Sequence, residues 1–364
     1  MNRRAWGWVA HLTDGGTTPW ADWSGEAEPC AEVVPGAQQL ELLRRLNLAG
    51  GVGAELATTV VASDPPRRSR PSLPLVGGGD VPDHGPRPVD PADVPDGELA
   101  RLASVLLAQR LASTTLEPAP EVLRPRVWRT RYHLRGDPEV VVPLRRHLVA
   151  DGRPPGGRHP RVVIVGTDTG QLLVDLWTAQ SLRHGAPPWH EWLAATVRQG
   201  RLPEQVDLPR LARRELDAGV DRRAVHVVTD PALAAGLLGV RRLPDRPVLS
   251  AAAADLGRRV ASALRPMARP PRRARLTTEV LRPWLETDDG PALVVPPRHR
   301  EWVTGRAEHM VGELTRGRYR VHGDPALVRP TERPADNPGV GAAASSRTLA
   351  LAVRLLLGTP RDES

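Results

Sequence analysis

Four short turns in this 364-residue chain carry the residues best placed for chemistry. They are Arg135-Gly136-Asp137-Pro138, Gly166-Thr167-Asp168-Thr169, Thr229-Asp230-Pro231 and Gly323-Asp324-Pro325. Glycine permits a sharp turn off a strand, aspartate caps the free N–H groups of a following helix, and proline is preset for the first helical position. Free N–H groups at a helix N-terminus also attract anions, so such turns could hold a polar ligand. Arg135 would supply positive charge, Gly136 the turn off the strand, and Thr167, Thr169 and Thr229 hydroxyl groups, with His226 close by. Asp137, Asp168 and Asp230 act in the other direction. Three carboxylates on one rim cancel much of the favourable field, which makes capping their first role and a hydroxyl-bearing ligand a better match than a multiply charged phosphate.

The elements that must position these turns are legible around residues 161–184. Val162-Val163-Ile164-Val165 is a β-branched run without polar alternation, the pattern of a central strand covered on both faces. Leu172, Leu173, Leu176 and Trp177 then repeat on one helical face. Further strands are expected at 126–135, 224–228, 292–295 and 319–322, separated by helical sequence that includes a tryptophan-bearing stretch at Trp189 and Trp192. Parallel strands would bring the turns together at their carboxyl ends, and a reversal of strand order would open a crevice there. The fold expected is therefore α/β, an open and mainly parallel helix-covered sheet of about four to six strands, with residues 162–165 central and a helical N-terminal extension. The expected organisation is a tryptophan-rich helical segment (1–62), a proline- and glycine-rich linker or wrap with one helix (63–125), the α/β domain (126–330), and a C-terminal loop and helix (331–364).

Other chemistries find little support. His299 and Glu301 with His309, His190-Glu191, and His322 with Asp324 each lack the spacing of a metal set, so no metal site is expected, and no cofactor is specified. No Gly-x-Ser-x-Gly elbow occurs, and Cys30 has no histidine near it in sequence. A single cysteine excludes an internal disulfide framework and fits a reducing cytoplasm. The N-terminus has no long apolar core of the signal-peptide kind, and no window reaches the roughly 18–20 apolar residues of a membrane span.

The formal charge of +8 arises without lysine: all 50 basic residues are arginine, beside 39 prolines and no phenylalanine, a composition that suggests GC-rich coding bias. Nucleic acid is disfavoured as a partner, because the basic run 265–275 contains no aromatic residue to stack on bases. Trp6, Trp8, Trp20 and Trp23 cluster near the N-terminus, where they either anchor a terminal segment or face a protein partner. The nearby Gly15-Gly16-Thr17-Thr18 has no lysine and no strand leading into it, so it is a weak phosphate-loop candidate.

The order of segments from Tyr132 to Pro330 resembles actinobacterial proteins of the sulfotransferase-like, P-loop-related α/β class. The likeness runs through Val162–Val165, Pro188-Trp189-His190-Glu191-Trp192-Leu193, the stretch from Asp221 to Thr229, Val294-Val295-Pro296-Pro297-Arg298-His299-Arg300-Glu301-Trp302-Val303, and Tyr319-Arg320-Val321-His322-Gly323-Asp324. The resemblance implies a three-layer fold and a phosphosulfate-binding loop after the first strand. At that place the chain has Leu134-Arg135-Gly136-Asp137-Pro138-Glu139, whose two carboxylates would repel a bisphosphate nucleotide. The expected function is therefore that of a non-catalytic relative, a pseudoenzyme or accessory protein. Two alternatives stand beside it: a sulfuryl or glycosyl transferase acting on a hydroxyl-bearing acceptor, and a protein- or nucleic-acid-binding module built on the N-terminal segment.

Overall fold

The structure is a computed structural model and describes residues 2–31, 33–63, 72–78, 86–118, 131–157, 159–241, 243, 248–317, 319–331 and 342–358. Residues 64–71, 79–85 and 119–125 of the expected 63–125 linker, and residues 126–130 of the first expected strand, lie outside the described residues. In chain order the helices and strands are α1 (Arg3–Thr13), α2 (Ala37–Gly50), α3 (Ala54–Ala62), α4 (Asp96–Ser113), β1 (Tyr132–Gly136), α5 (Pro138–Ala150), β2 (Arg161–Val165), α6 (Thr169–His184), α7 (Trp189–Arg198) and α8 (Leu208–Asp217). There follow β3 (Val225–Val228), α9 (Pro231–Leu238), α10 (Ala251–Ala263), α11 (Pro270–Arg275), α12 (Arg282–Leu285), α13 (Pro297–Arg316), β4 (Arg320–His322) and α14 (Ala342–Gly358).

The chain forms two compact units, each discontinuous in sequence. One comprises Met1–Thr115, Asp255–Asp288 and Val340–Ser364, the other Leu116–Ala254 and Asp289–Gly339. The division falls inside α10. The helical N-terminal segment thus shares a unit with two later segments, and Asp255–Asp288 is grouped apart from the rest of the 126–330 stretch.

The second unit holds a four-stranded, wholly parallel sheet in the order β1-β2-β3-β4. As its composition predicts, β2 is an inner strand, and Val162, Val163, Ile164 and Val165 are all fully buried. Burial of such side chains is worth roughly 1.5–3 kcal/mol each before the entropy of ordering is subtracted. On one face Leu134, Val163, Val165 and Val228 form a core with Val140, Val141, Leu144 and Leu148 of α5 and with Ala234 and Leu238 of α9. Arg135 alternates to the opposite face and reaches Glu215 of α8. The sheet is therefore covered on both sides.

Two expectations are corrected. Residues 292–295 do not form a sheet strand: Ala292 makes an isolated antiparallel bridge with Ser250, and the Val294 carbonyl accepts the Trp189 indole N–H at 3.2 Å. The β-branched composition suits a strand, but Pro296 and Pro297 follow at once, start α13, and deny the run a continuing ladder. The strand order, moreover, never reverses, so the crevice that a reversal would open at the carboxyl rim does not arise in that way.

The first unit is helical, with α4 packed against α14 and α2. Trp6, Trp8 and Trp20 are buried in it. Trp8 donates its indole N–H to the Thr18 carbonyl at 2.9 Å and lies 5.3 Å from Trp20, centroid to centroid. Arg4 sits 4.1 Å over the Trp20 ring and donates to the Trp20 and Trp23 carbonyls. The basic stretch 270–275 forms α11, and a π-helical segment (Leu276–Leu281) links it to α12 just ahead of Pro283, whose ring brings no N–H to the regular ladder. Among the described residues no helix is long and apolar enough to cross a membrane.

Candidate functional site

The four turns at the carboxyl ends of the strands owe their geometry to their aspartates. Asp137 accepts the Glu139 N–H at 2.9 Å, Asp168 that of Gln171 at 3.0 Å, Asp230 that of Ala232 at 3.0 Å, and Asp324 that of Ala326 at 2.8 Å. Each carboxylate caps the turn or helix that follows, and Pro138, Pro231 and Pro325 occupy the first helical position as expected.

The five residues expected to hold a ligand are placed as follows. Arg135 is ion-paired with the buried Glu215 of α8, Nε to Oε1 at 3.0 Å, so its charge is matched within the fold. Gly136 has φ +96°, and a Cβ there would lie 2.0 Å from the Val165 carbonyl oxygen; the same oxygen accepts the Asp137 N–H at 2.8 Å. Thr167 is half-buried in the turn after β2. Thr169 is fully buried and donates its hydroxyl to the Val328 carbonyl at 2.6 Å. Thr229, also buried, donates to the Asp324 carbonyl at 2.9 Å and contacts the His322 carbonyl at 3.2 Å. The two buried threonine hydroxyls thus hold the chain that leaves β4 across the rim.

Beside this clamp lies a cleft of ≈ 140 Å³ that opens to solvent. Asp168, Gly170 and Gln171 at the start of α6 form one wall, residues 293–295 and Arg300 and Thr304 of α13 another, and Pro330 and Thr331 a third. The second oxygen of Asp168 accepts the Thr331 N–H at 2.6 Å, and Gln171 donates to Asp175 at 2.8 Å. The cleft offers a carboxylate, a guanidinium, an amide and a hydroxyl over an apolar floor of Val174 and Leu293, a set suited to a neutral, hydroxyl-bearing molecule. Arg300 and Thr304 were not foreseen from the sequence. The run they belong to reads as an ordinary helix start, and only the tertiary fold sets it against Asp168.

The sequence placed His226 near the turns but not beside His322. His226 on β3 and His322 on β4 stack with centroids 5.1 Å apart, Nδ1 of the first 2.9 Å from Nε2 of the second. Burial foremost, then the charges of His322, Arg161 and Arg320, pushes His226 from 6.5 to about 4; burial and the two arginines lower His322 as well. The only sequence signal of this pairing is the alternation of Arg320 and His322, which puts both on one strand face. Among the described residues no group of three or more histidine, cysteine, aspartate or glutamate side chains is arranged to hold a metal ion.

Compared with protein-family models, with curated proteins and with solved structures, the chain matches none.

Proposed function

We propose that this chain is a non-catalytic accessory protein, a relative of the sulfotransferase-like, P-loop-related class that keeps a parallel α/β core while using its ligand rim for internal bonding. The turn after β1 carries this reading. A phosphate cradle needs several loop residues whose N–H groups converge on the anion. Here β1 ends at Gly136 and α5 begins at Pro138, so Asp137 alone stands between them. Its carboxylate is buried and occupies the helix N-terminus, and Val165 closes on Gly136 from β2. An accessory role of this kind is exercised through a protein partner.

Calorimetry with adenosine 3′,5′-bisphosphate and with ATP tests the proposal. The expected result is no saturable heat that depends on Arg135. Micromolar binding of the bisphosphate that is lost in Arg135→Gln would restore the transferase reading, with Arg135 near the phosphates and Thr167 positioning the acceptor. The cleft beside Asp168 supports a second reading, binding of a neutral polyol or sugar, and a Thr304→Trp variant that fills the cleft should abolish such binding.

A further inference from the structure

The parallel register brings four nitrogen-bearing side chains to one face of the sheet. Arg320 pairs directly with His226, and His322 lies two residues further along β4. Val163 pairs with His226, which places Arg161, two residues earlier on β2, on the same face as His226. Arg161 is the first residue of β2 and Arg320 the first of β4, at the amino ends of their strands, whereas His322 closes β4 and its backbone carbonyl meets Thr229 at the rim.

Among the described residues this cluster is cationic and has no counter-charge. The side chain of Arg161 donates to the Leu237 carbonyl of α9, a neutral acceptor. Arg320 is exposed. Among the described residues neither guanidinium has a carboxylate partner, and the charges that act on the two histidines are those of the arginines and of His322, with no acid among them. Elsewhere this chain pairs its arginines readily, as Arg44 and Arg45 do with Glu41 and as Arg258 and Arg259 do with Asp255. Two like charges beside an imidazole pair, His226 buried and His322 half-buried, repel one another and are stabilised when an anion joins them.

We propose that Arg161, Arg320 and the His226–His322 pair form a binding site for a tetrahedral oxyanion, a sulfate or phosphate group. Guanidinium groups match such oxygens with paired N–H donors. In the tautomer in which His226 Nδ1–H donates to His322 Nε2, the remaining proton of His322 sits on Nδ1 and adds a donor of the same polarity. The site is independent of the accessory-protein reading, because it uses side chains on one sheet face and needs none of the rim residues Arg135, Gly136, Thr167, Thr169 and Thr229.

The test is an NMR titration of the full chain with histidine-selective labelling, following the imidazole signals of His226 and His322 while sodium sulfate or sodium phosphate is added. Sodium chloride at matched ionic strength is the control. The expected result is a saturable shift of both imidazoles that chloride does not reproduce, together with a rise of about one pKa unit in each as the anion offsets the arginine charges. Arg320→Gln, an exposed change that should leave folding intact, is expected to weaken the anion about tenfold, the loss of one charge-assisted contact. Preference for sulfate over phosphate, or the reverse, identifies the group that the site takes. Shifts no larger than in chloride, or unchanged affinity in Arg320→Gln, would overturn the proposal. Capture of the adenosine bisphosphate at this site is recognised by its loss in Arg320→Gln and its persistence in Arg135→Gln, so the two proposals fail separately.

Discussion

The carboxylate of Asp168 accepts the backbone N–H of Thr331 at 2.6 Å, across 163 residues of sequence. Its other oxygen caps α6 through Gln171. One side chain thus fixes the start of a helix and the position of the segment that forms a wall of the cleft.

Replacing Asp168 with alanine should cost about 1 kcal/mol for the lost cap and a comparable amount for the lost tether. Asp168→Asn keeps one acceptor oxygen and should fall between the two. Urea unfolding gives the total, and amide exchange at Thr331 isolates the tether: the change is expected to speed exchange there more than in β2. Equal protection of Thr331 in both variants and the parent would show that the contact contributes nothing.

Gly136→Ala should be among the most damaging single changes in the second unit. The residue would have to adopt φ +96° with a Cβ 2.0 Å from the Val165 oxygen, so β1 and β2 must separate or the turn must rebuild. A loss of roughly 3 kcal/mol follows from strain of this kind combined with the close contact. Gly219→Ala, also at positive φ but with nothing near its Cβ, should cost less. Similar midpoints for the two variants would remove the steric reason given for the turn.

Acidification acts through His226. Unfolded, its ring titrates near 6.5; folded, burial and the neighbouring His322, Arg161 and Arg320 hold it at about 4. Above about pH 6.5 both states are neutral and nothing is lost. As the pH falls from there towards 4, the unfolded chain takes up a proton that the folded chain refuses, and stability drops, by something of order 2 kcal/mol once solvent screening is allowed for. His226→Gln should flatten this part of the profile in chloride buffer, measured as urea midpoints at several pH values. A parent and variant that lose stability in parallel would assign the acid sensitivity to carboxylates alone.

The buried N-terminal tryptophans should behave as core residues. Trp8→Ala is expected to destabilise the first unit by about 3–5 kcal/mol, the usual cost of emptying such a site. Removal of residues 1–25 should cause unfolding or aggregation, seen by circular dichroism and light scattering. A truncated chain that keeps its melting transition would show that the tryptophans serve something outside the fold.

What the sequence determined by itself was local. Four valine and isoleucine residues in a row at 162–165 have nowhere favourable to go except between two helical layers, and the structure buries all of them. Asp-Pro junctions encode their own capping, because donor and acceptor lie two residues apart, and Asp137, Asp230 and Asp324 all cap as their spacing dictates. Tertiary structure decided the rest, since it rests on partners distant in the chain. Residues 292–295 have strand composition, yet Trp189 claims the Val294 carbonyl and β4 takes the place beside β3. Thr169 and Thr229 look like ligand hydroxyls until Val328 and Asp324 arrive to accept them. Arg135 looks like a free charge until α8 brings Glu215. His226 and His322 lie 96 residues apart and acquire a common chemistry only when β4 pairs in register with β3, because strand pairing sets which side chains share a face, and no local pattern encodes that choice.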